Sequence, residues 1–172
     1  MADDRDLKIR LLNEEDAALI SAAFAAIARN KPVSQFESYA AEQAAGEREV
    51  LVAELAGRFV GYVTIRWHPT YVPFADSGIP EVQDFNVLPD FRRRGIGTRL
   101  MNRAEEMIAE RSDTVGIGVG MYADYGNAQR LYVLRGYVPD GRGLTYKGQV
   151  LAPMESTIND DDLVLFFTKK LR

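Results

Sequence analysis

The stretch from residue 81 to about residue 111 constrains the fold more than any other part of the chain. A strand-like run, Glu81–Leu88, is stopped by Pro89, which cannot donate to a strand ladder. The basic, glycine-containing turn Arg92–Gly97 follows, and it opens a run with apolar residues at helical spacing that continues to about Arg111. A strand that leads into a helix through a short turn predicts a mixed α/β fold.

Strand and helix patterns alternate over the rest of the chain. Strand-like runs cover residues 7–11, 49–55, 59–67, 114–119 and 163–169, with a small hairpin at 144–151. Helical patterns cover residues 13–30, 34–45 and 127–135. No internal repeat or linker interrupts this order, and a domain has about 100–200 residues. The 172 residues therefore predict one mixed α/β domain over 1–172.

The composition excludes several kinds of site. The chain has no cysteine and one histidine, His68, which excludes disulfides, thiol nucleophiles and histidine-rich metal sites. Its 21 Lys and Arg against 25 Asp and Glu argue against nucleic-acid binding, which needs a basic surface. Residues 1–5 lack the apolar core of a signal peptide, and the longest uncharged run, 17–28, is shorter than the ~20 residues that span a bilayer. We expect a cytoplasmic protein with no metal, nucleic-acid or membrane partner.

The turn at 92–97 has the properties of a pyrophosphate site. The first N–H groups of a helix have no internal partner and carry partial positive charge. Gly95 and Gly97 would let a phosphate approach the backbone, and Arg92–Arg94 add three positive charges. The alternative is a solvated basic turn whose glycines serve close packing.

Two other nucleotide-binding motifs fit less well. A Rossmann site has a third glycine where Leu100 stands, and it follows the first strand of its unit. A Walker loop ends in Gly-Lys-Ser/Thr, which this sequence lacks. An NADP-dependent enzyme that uses the same turn stays a rival hypothesis.

Two motifs together resemble the GNAT superfamily of N-acetyltransferases. Arg92-x-x-Gly95-x-Gly97 after a strand ending in valine resembles its acetyl-CoA signature. A second block, some 30 residues later, is similar to another segment of these enzymes; it reads Asn127-Ala128-x-x-Leu131-Tyr132-x-x-x-Gly136-Tyr137. The pair is more specific than either half. The resemblance covers about 49–138, is loose for the N-terminal helices and is absent after Pro139.

The resemblance implies a fold and an acetyl-CoA site. The fold is a single GNAT-like α/β domain, with a central, mostly antiparallel sheet that splays in a V and is flanked by helices. The Val87 N–H would polarise the thioester carbonyl, as a fixed donor aimed at the developing oxyanion. The residues that the resemblance assigns to acetyl-CoA are Phe85, Asn86, Val87, Arg92, Arg93, Arg94, Gly95, Ile96, Gly97, Thr98, Asn127 and Tyr132.

Three side chains are candidate catalytic groups. Tyr132 resembles the tyrosine that protonates the departing thiolate, although a core aromatic is the alternative. Glu81 shares the face of Val87 by simple alternation, and its offset from Arg92 resembles the general base of some members. Asp84, on the opposite face, is the runner-up. A bulge would break this alternation, and Glu81 has the alternative of an exposed strand start.

The sequence thus predicts transfer of an acetyl group from acetyl-CoA to a primary amine of a small molecule, such as an amino acid, polyamine or antibiotic. The attack would be direct, since no cysteine can form a covalent intermediate. The resemblance also implies a possible homodimer. The alternatives are an acyl-CoA sensing module without turnover, and a protein N-terminal or lysine acetyltransferase.

Two further features bear on where an acceptor would bind. Residues 68–79 hold two prolines, a glycine and uncharged aromatic or branched residues, which predicts an apolar loop that either lines an acceptor pocket or packs on the sheet. Gly116, Gly118 and Gly120 alternate along one strand, so one face is left bare for a neighbouring backbone or a ligand.

Overall fold

The computed structural model describes residues 6–172, so the expectation about residues 1–5 lies outside the described part. The strands are β1 Leu7–Leu11, β2 Arg48–Leu55, β3 Arg58–Arg66, β4 Glu81–Val87, β5 Thr114–Gly120, β6 Val138–Tyr146, β7 Gln149–Val150 and β8 Leu163–Lys170. The helices are α1 Asp16–Ala25, α2 Val33–Ala44, α3 Val72–Ser77, α4 Ile96–Ala109 and α5 Gly126–Leu134. Short 3-10 helices cover Pro89–Phe91 and Ala123–Tyr125.

The strands over residues 6–172 pair in the order β1-β2-β3-β4-β5-β8-β6-β7. The ladders β1–β2, β2–β3, β5–β8, β6–β8 and β6–β7 are antiparallel, and β4–β5 is parallel. The β4–β5 ladder comprises Glu81 with Gly116 and Val82 with Ile117, whereas β4 itself continues to Val87. The predicted α/β fold with a mostly antiparallel sheet is therefore confirmed. No helix of the described residues is long and apolar enough to cross a bilayer.

The chain divides into two compact units, and the single domain over 1–172 stays a prediction. Within the described part of the chain, the first unit holds residues 6–67 together with 83–107. Its core packs α1 and α2 against β2 and β3. Phe24 and Phe36 meet the fully buried Tyr62 edge-on, at ring-centroid distances of 5.9 and 5.4 Å. Each large apolar side chain buried here contributes about 1.5–3 kcal/mol.

The first helix is shorter than the predicted 13–30. It ends at Ala25, and Ala28 takes a left-handed conformation with φ 56°. The Arg29 N–H then donates to the Phe24 carbonyl at 3.0 Å, the closing bond typical of a helix C-terminus. The chain therefore turns sharply at 26–32 before α2, and this turn carries Lys31.

The second unit holds residues 68–82 and 108–172. Residues 72–77 form α3, which corrects the prediction of a loop over 68–79. Pro73 lies in the first turn, where it is favoured, and Gly78 ends the helix at φ 63°. Tyr71 and Phe74 are buried against Phe166, with the Tyr71 and Phe166 rings stacked at 3.6 Å. These aromatic rings belong to the hydrophobic core of the second unit, which supports the alternative that residues 68–79 pack on the sheet.

The glycine face of β5 is covered, so the expectation of a bare face open to a ligand is wrong. A Cβ at Gly116 would lie 2.2 Å from Phe74 Cε2, and one at Gly120 would lie 2.4 Å from Tyr125 Cε2. Gly118 faces Phe166 and Val164, each 2.9 Å from its ideal Cβ. Glycine is needed along β5 because side-chain rings of the same unit lie directly on its backbone.

Candidate functional site

The first unit contains the predicted anion turn. The first hydrogen bond at the start of α4 runs from the Arg99 N–H to the Gly95 carbonyl at 3.0 Å. The N–H groups of Ile96, Gly97 and Thr98 precede that bond and so have no partner within the helix. The helix dipole of this 14-residue helix adds partial positive charge at the same end. This end of α4 can therefore bind an anion through backbone groups.

The two glycines of the turn are needed for different reasons. Gly95 has φ 76° with open space around its ideal Cβ, so the turn needs its backbone conformation. Gly97 is helical, and a Cβ there would come within 3.0 Å of Phe85 Cζ. Gly97 thus lets α4 pack closely on β4, which agrees with the alternative that the glycines of the turn serve close packing. Gly95 leaves the entrance to the helix N-terminus open.

Positive charge is concentrated around this helix end. Arg92, Arg93 and Arg94 are all exposed, and Arg92 Nε donates to the Val87 carbonyl at 3.0 Å. The guanidinium groups of Arg94 and Arg58 lie over the Phe91 ring at 5.7 and 5.9 Å. Arg58 belongs to the distant β3, so no local sequence pattern identified it. The arrangement suits a multiply charged anion such as a pyrophosphate.

The backbone of β4 is irregular at Asp84, where φ is 44°. Asp and Asn adopt this left-handed conformation more readily than other non-glycine residues. The simple alternation that put Glu81 on the face of Val87 therefore does not hold across Asp84, which corrects that prediction. After the irregularity, Phe85 packs against Gly97, and the Asn86 side chain donates to Asp84 Oδ1 at 2.9 Å.

Asp84 is the centre of a polar cluster in the first unit. Its carboxylate accepts hydrogen bonds from Lys31 Nζ at 2.6 Å, Tyr62 Oη at 2.6 Å, Gln35 Nε2 at 2.8 Å, Asn86 Nδ2 at 2.9 Å and Tyr39 Oη at 3.0 Å. The donors come from the α1–α2 turn, α2, β3 and β4. We call these six residues the Asp84 cluster. Sequence reasoning identified Asp84 and Asn86 but missed the other four, which converge only in the folded chain.

The two phenols of the Asp84 cluster stay protonated over a wide pH range. Burial, then the Asp84 charge, raises the pKa of Tyr39 to about 12. The same causes, burial first, raise the pKa of the fully buried Tyr62 further. Both hydroxyls are therefore hydrogen-bond donors to the carboxylate at neutral pH. The positive charge that faces Asp84 in this cluster is the Lys31 ammonium.

A buried cation, Arg48, supports the same part of the first unit. Arg48 is buried; its Nε donates to Glu42 Oε2 at 2.6 Å and its Nη1 donates to Thr64 Oγ1 at 2.7 Å. Its guanidinium lies 4.4 Å from the centre of the Tyr39 ring. Because Arg48 is held by Glu42 and Thr64, it fixes the Tyr39 ring and leaves the hydroxyl directed at Asp84.

The second unit holds the remaining candidates. Glu81 is buried and pairs with Gly116 in the β4–β5 ladder, so the alternative of an exposed strand start is wrong. Tyr132 on α5 is buried, with its ring 5.9 Å from that of Tyr137, and burial alone raises the pKa of its phenol. Asn127 is exposed in the first turn of α5.

The start of α5 excludes one role for Asn127. The helix begins at Gly126, the N-cap residue is Tyr125, and that cap has no side-chain hydrogen bond. Asn127 therefore does not cap α5. Gln129 Nε2 instead donates to the Gly120 carbonyl at 2.8 Å, which ties α5 to the end of β5. This fixes the helix that carries Tyr132 relative to its own strand.

Within the first unit the fold thus brings together Asp84–Val87 and the turn 92–98. Within the second unit it holds Glu81, Asn127 and Tyr132. The helix N-terminus in the first group suits an anion such as a pyrophosphate. The second group provides a buried carboxyl and a phenol that stays protonated at neutral pH.

Comparison with known proteins agrees with the two motifs. A family model described as Acetyltransferase (GNAT) family matches residues 18–137. A relative from Bacillus subtilis (strain 168), S-(2-succino)cysteine N-acetyltransferase, is 29% identical over 123 residues, which is 67% of this chain and 70% of the relative.

Solved structures share the fold. A GNAT-family protein from Desulfovibrio desulfuricans has a TM-score of 0.73 at 14% identity, with 96% of this chain and 99% of that chain covered. A protein from Salmonella typhimurium, solved with its cofactor acetyl-CoA, has a TM-score of 0.68 at 18% identity, with 97% of this chain and 95% of that chain covered. The resemblance drawn from the motifs is confirmed. The chain belongs to the acetyltransferase (GNAT) family and is an acetyl-CoA-dependent N-acyltransferase.

Proposed function

We propose that the protein transfers the acetyl group of acetyl-CoA to the primary amine of a small molecule by direct attack. The observation that carries the proposal is the N-terminus of α4, where Gly95 at φ 76° opens a helix end surrounded by arginines. In this proposal the N–H groups from Arg93 to Thr98 bind the pyrophosphate. The backbone of Phe85–Val87 binds the pantetheine arm, and the Val87 N–H polarises the thioester carbonyl.

The proposed step balances without a covalent enzyme intermediate. The neutral amine attacks the carbonyl carbon, so the N–C bond forms and the C–S bond breaks. A carboxylate takes the proton that the amine loses, and the Tyr132 hydroxyl gives a proton to the departing thiolate. Burial raises the pKa of the Tyr132 phenol, so at neutral pH Tyr132 carries its proton and is a hydrogen-bond donor.

Asp84 and Glu81 are the two candidates for the proton acceptor. Asp84 is half-buried, carries polar partners and lies three residues before Val87 on the same strand. Glu81 is more deeply buried within a regular ladder. If Asp84 is the base, Asp84→Asn lowers kcat strongly, whereas Glu81→Gln leaves kcat nearly unchanged. The reverse result assigns the base to Glu81.

The acceptor is proposed to be a small-molecule amine. The name of the Bacillus subtilis relative gives a cysteine derivative as its acceptor, which supports a small molecule. A cytoplasmic location, a homodimer and independence of metal stay predictions. Free-thiol release from acetyl-CoA across a panel of amines, amino acids and peptides tests the acceptor class. Acetyl-CoA binding without thiol release on any amine would instead support a sensing module.

Gly95→Asp tests the anion turn. We expect it to abolish acetyl-CoA binding in calorimetry, because a carboxylate at the helix N-terminus would exclude the pyrophosphate. Gly46→Asp is the matched control, since Gly46 has φ 75° and equally open space in a turn after α2. Both variants carry similar backbone strain, so a difference in their acetyl-CoA affinity reports the effect of a carboxylate at the N-terminus of α4. Unchanged affinity in Gly95→Asp would remove the pyrophosphate assignment.

Tyr132→Phe tests the proton donor. We expect kcat to fall by about 10²-fold with little change in KM for acetyl-CoA, because a general acid acts in the transition state. Tyr137→Phe, which alters a neighbouring buried ring, controls for packing. An effect on KM alone would make Tyr132 a core residue.

A further inference from the structure

The Lys31 side chain places a primary alkylammonium in the Asp84 cluster. Lys31 Nζ lies 2.6 Å from Asp84 Oδ1 and 5.8 Å from the centre of the Tyr62 ring. A carboxylate next to an aromatic face is a combination that binds organic cations. The Lys31 ammonium therefore occupies a position that would also fit the amine of an acceptor, which is the group that an N-acetyltransferase must bind.

This ion pair is reachable from solvent. The Lys31 side chain is 21% exposed and that of Asp84 is 16% exposed, whereas the ring of Tyr62 behind them is fully buried. Lys31 lies in the 26–32 turn and is followed by Pro32, the N-cap of α2. Its flexible four-carbon stem lets the ammonium leave Asp84 while the backbone stays in place.

The hydrogen bonds of the Asp84 cluster restrict which chemical group can replace the Lys31 ammonium. Tyr39 and Tyr62 donate to Asp84 Oδ2, as does Gln35, so that oxygen is saturated. Among residues 6–172, Asp84 Oδ1 accepts from Asn86 and Lys31. When Lys31 leaves, Oδ1 is open to another cationic donor. A carboxylate next to the amine of a ligand would weaken this contact, because it brings a second negative charge close to Asp84.

We propose that Asp84 binds the ammonium of the acceptor and that Lys31 occupies the same place until the acceptor displaces it. The acceptor class is then an unbranched primary alkylammonium without a carboxylate beside the amine. This inference rests on the proposed function. Lys31 is a specificity-determining residue, because a tethered competitor lowers the apparent affinity by the fraction of chains in which it is seated.

A binding experiment tests the position without any turnover. The probe is n-butylammonium chloride, the free equivalent of a lysine side chain, titrated by calorimetry in the absence of acetyl-CoA. Lys31→Met is expected to bind it at least tenfold more tightly than the unaltered chain. The matched control is Lys8→Met, which removes an exposed lysine on β1 and is expected to change nothing. Lys31→Met combined with Asp84→Asn is expected to lose the gain.

A kinetic experiment separates this inference from the proposed function. With n-butylamine as acceptor, Lys31→Met is expected to lower the acceptor KM about tenfold, or about 1.4 kcal/mol, with the acetyl-CoA KM unchanged. Lys31→Gln provides a second variant if Lys31→Met unfolds. An unchanged acceptor KM makes the ion pair purely structural. An acceptor KM that is raised only for carboxylate-bearing amines makes Lys31 a contact for the carboxylate of the acceptor. Either result overturns the inference. Tight n-butylammonium binding without thiol release from any amine overturns the proposed function alone.

Discussion

Asp84→Asn is expected to destabilise the protein strongly, although it removes no volume. The substitution keeps the shape of the side chain and suits the backbone, because Asn tolerates φ 44° as well as Asp does. It removes the charge that pairs with Lys31 and replaces one acceptor oxygen by an NH₂ donor. The loss of stability therefore isolates the electrostatic role of the Asp84 cluster.

The magnitude follows from the five donors around the carboxylate. If the Asn oxygen faces Tyr39, Tyr62 and Gln35, its NH₂ group confronts the ammonium of Lys31 and the amide of Asn86. If it is turned over, the NH₂ group confronts the Gln35 amide instead. Either way at least one donor loses its acceptor and the ion pair is lost. Hydrogen bonds to charged groups contribute about 1.5–3 kcal/mol each, so we expect a loss of about 3 kcal/mol.

Urea unfolding followed by circular dichroism measures this loss. Thermal unfolding provides a second measurement. For a chain of this length, 1 kcal/mol corresponds to a Tm shift of about 2–4 °C, so we expect the Tm to fall by about 6–12 °C. Asp90→Asn, in the exposed 3-10 turn after β4, is the control and should lie within about 0.5 kcal/mol of the parent. A loss below about 1 kcal/mol for Asp84→Asn would refute the view that this cluster stabilises the first unit.

Two further predictions concern packing and alkaline pH. Gly116→Ala should lower the free energy of unfolding in urea by about 1–3 kcal/mol, since its Cβ would lie 2.2 Å from Phe74 Cε2. Gly126→Ala, whose Cβ meets nothing within 4 Å, should be neutral or slightly stabilising. Equal effects of the two substitutions would contradict the covered face of β5. Stability should fall as pH rises from 10 towards 12, because the unfolded chain releases tyrosine protons near pH 10 while folded Tyr39 holds its own to about 12. Tyr39→Phe should flatten that fall by at most about 1.4 kcal/mol per pH unit, and an unchanged slope would show that Tyr39 is not protected.

Local patterns predicted the elements that are decided by local chemistry. The hairpin of β2 and β3 and the amphipathic α4 follow from alternation and helical spacing, and both are present. Gly136 follows the helical pattern 127–135 and takes a left-handed conformation with φ 88°, which is typical of glycine after a helix end. The segment 68–79 shows how the same signals can mislead. Its prolines and glycine suggested a loop, but Pro73 and Gly78 stand at the start and end of a helix, where each is favoured.

Contacts between distant parts of the chain account for what the sequence did not reveal. The glycines of β5 suggested space, and nothing near them in the sequence indicates that Phe74, Tyr125 and Phe166 fill it. Four of the five donors to Asp84 lie 22 to 53 residues away along the chain, so no motif contains them. The anion turn was found because its helix, glycines and arginines are consecutive. Arg58, which joins them through Phe91, was missed because β3 is remote in sequence.

The irregular backbone at Asp84 links the local chemistry of β4 to the proposed acceptor site. A conformation near φ 44° admits glycine, asparagine and aspartate far better than other residues. Glycine would leave five donors without an acceptor, and asparagine would add a donor to a cluster that already has only donors facing it. Aspartate alone satisfies both the backbone and the cluster. Strain of this kind costs about 1–3 kcal/mol and persists where its surroundings compensate for it. The hydrogen bonds from α2, β3 and the 26–32 turn provide that compensation, and they leave one oxygen of the carboxylate to a displaceable ammonium.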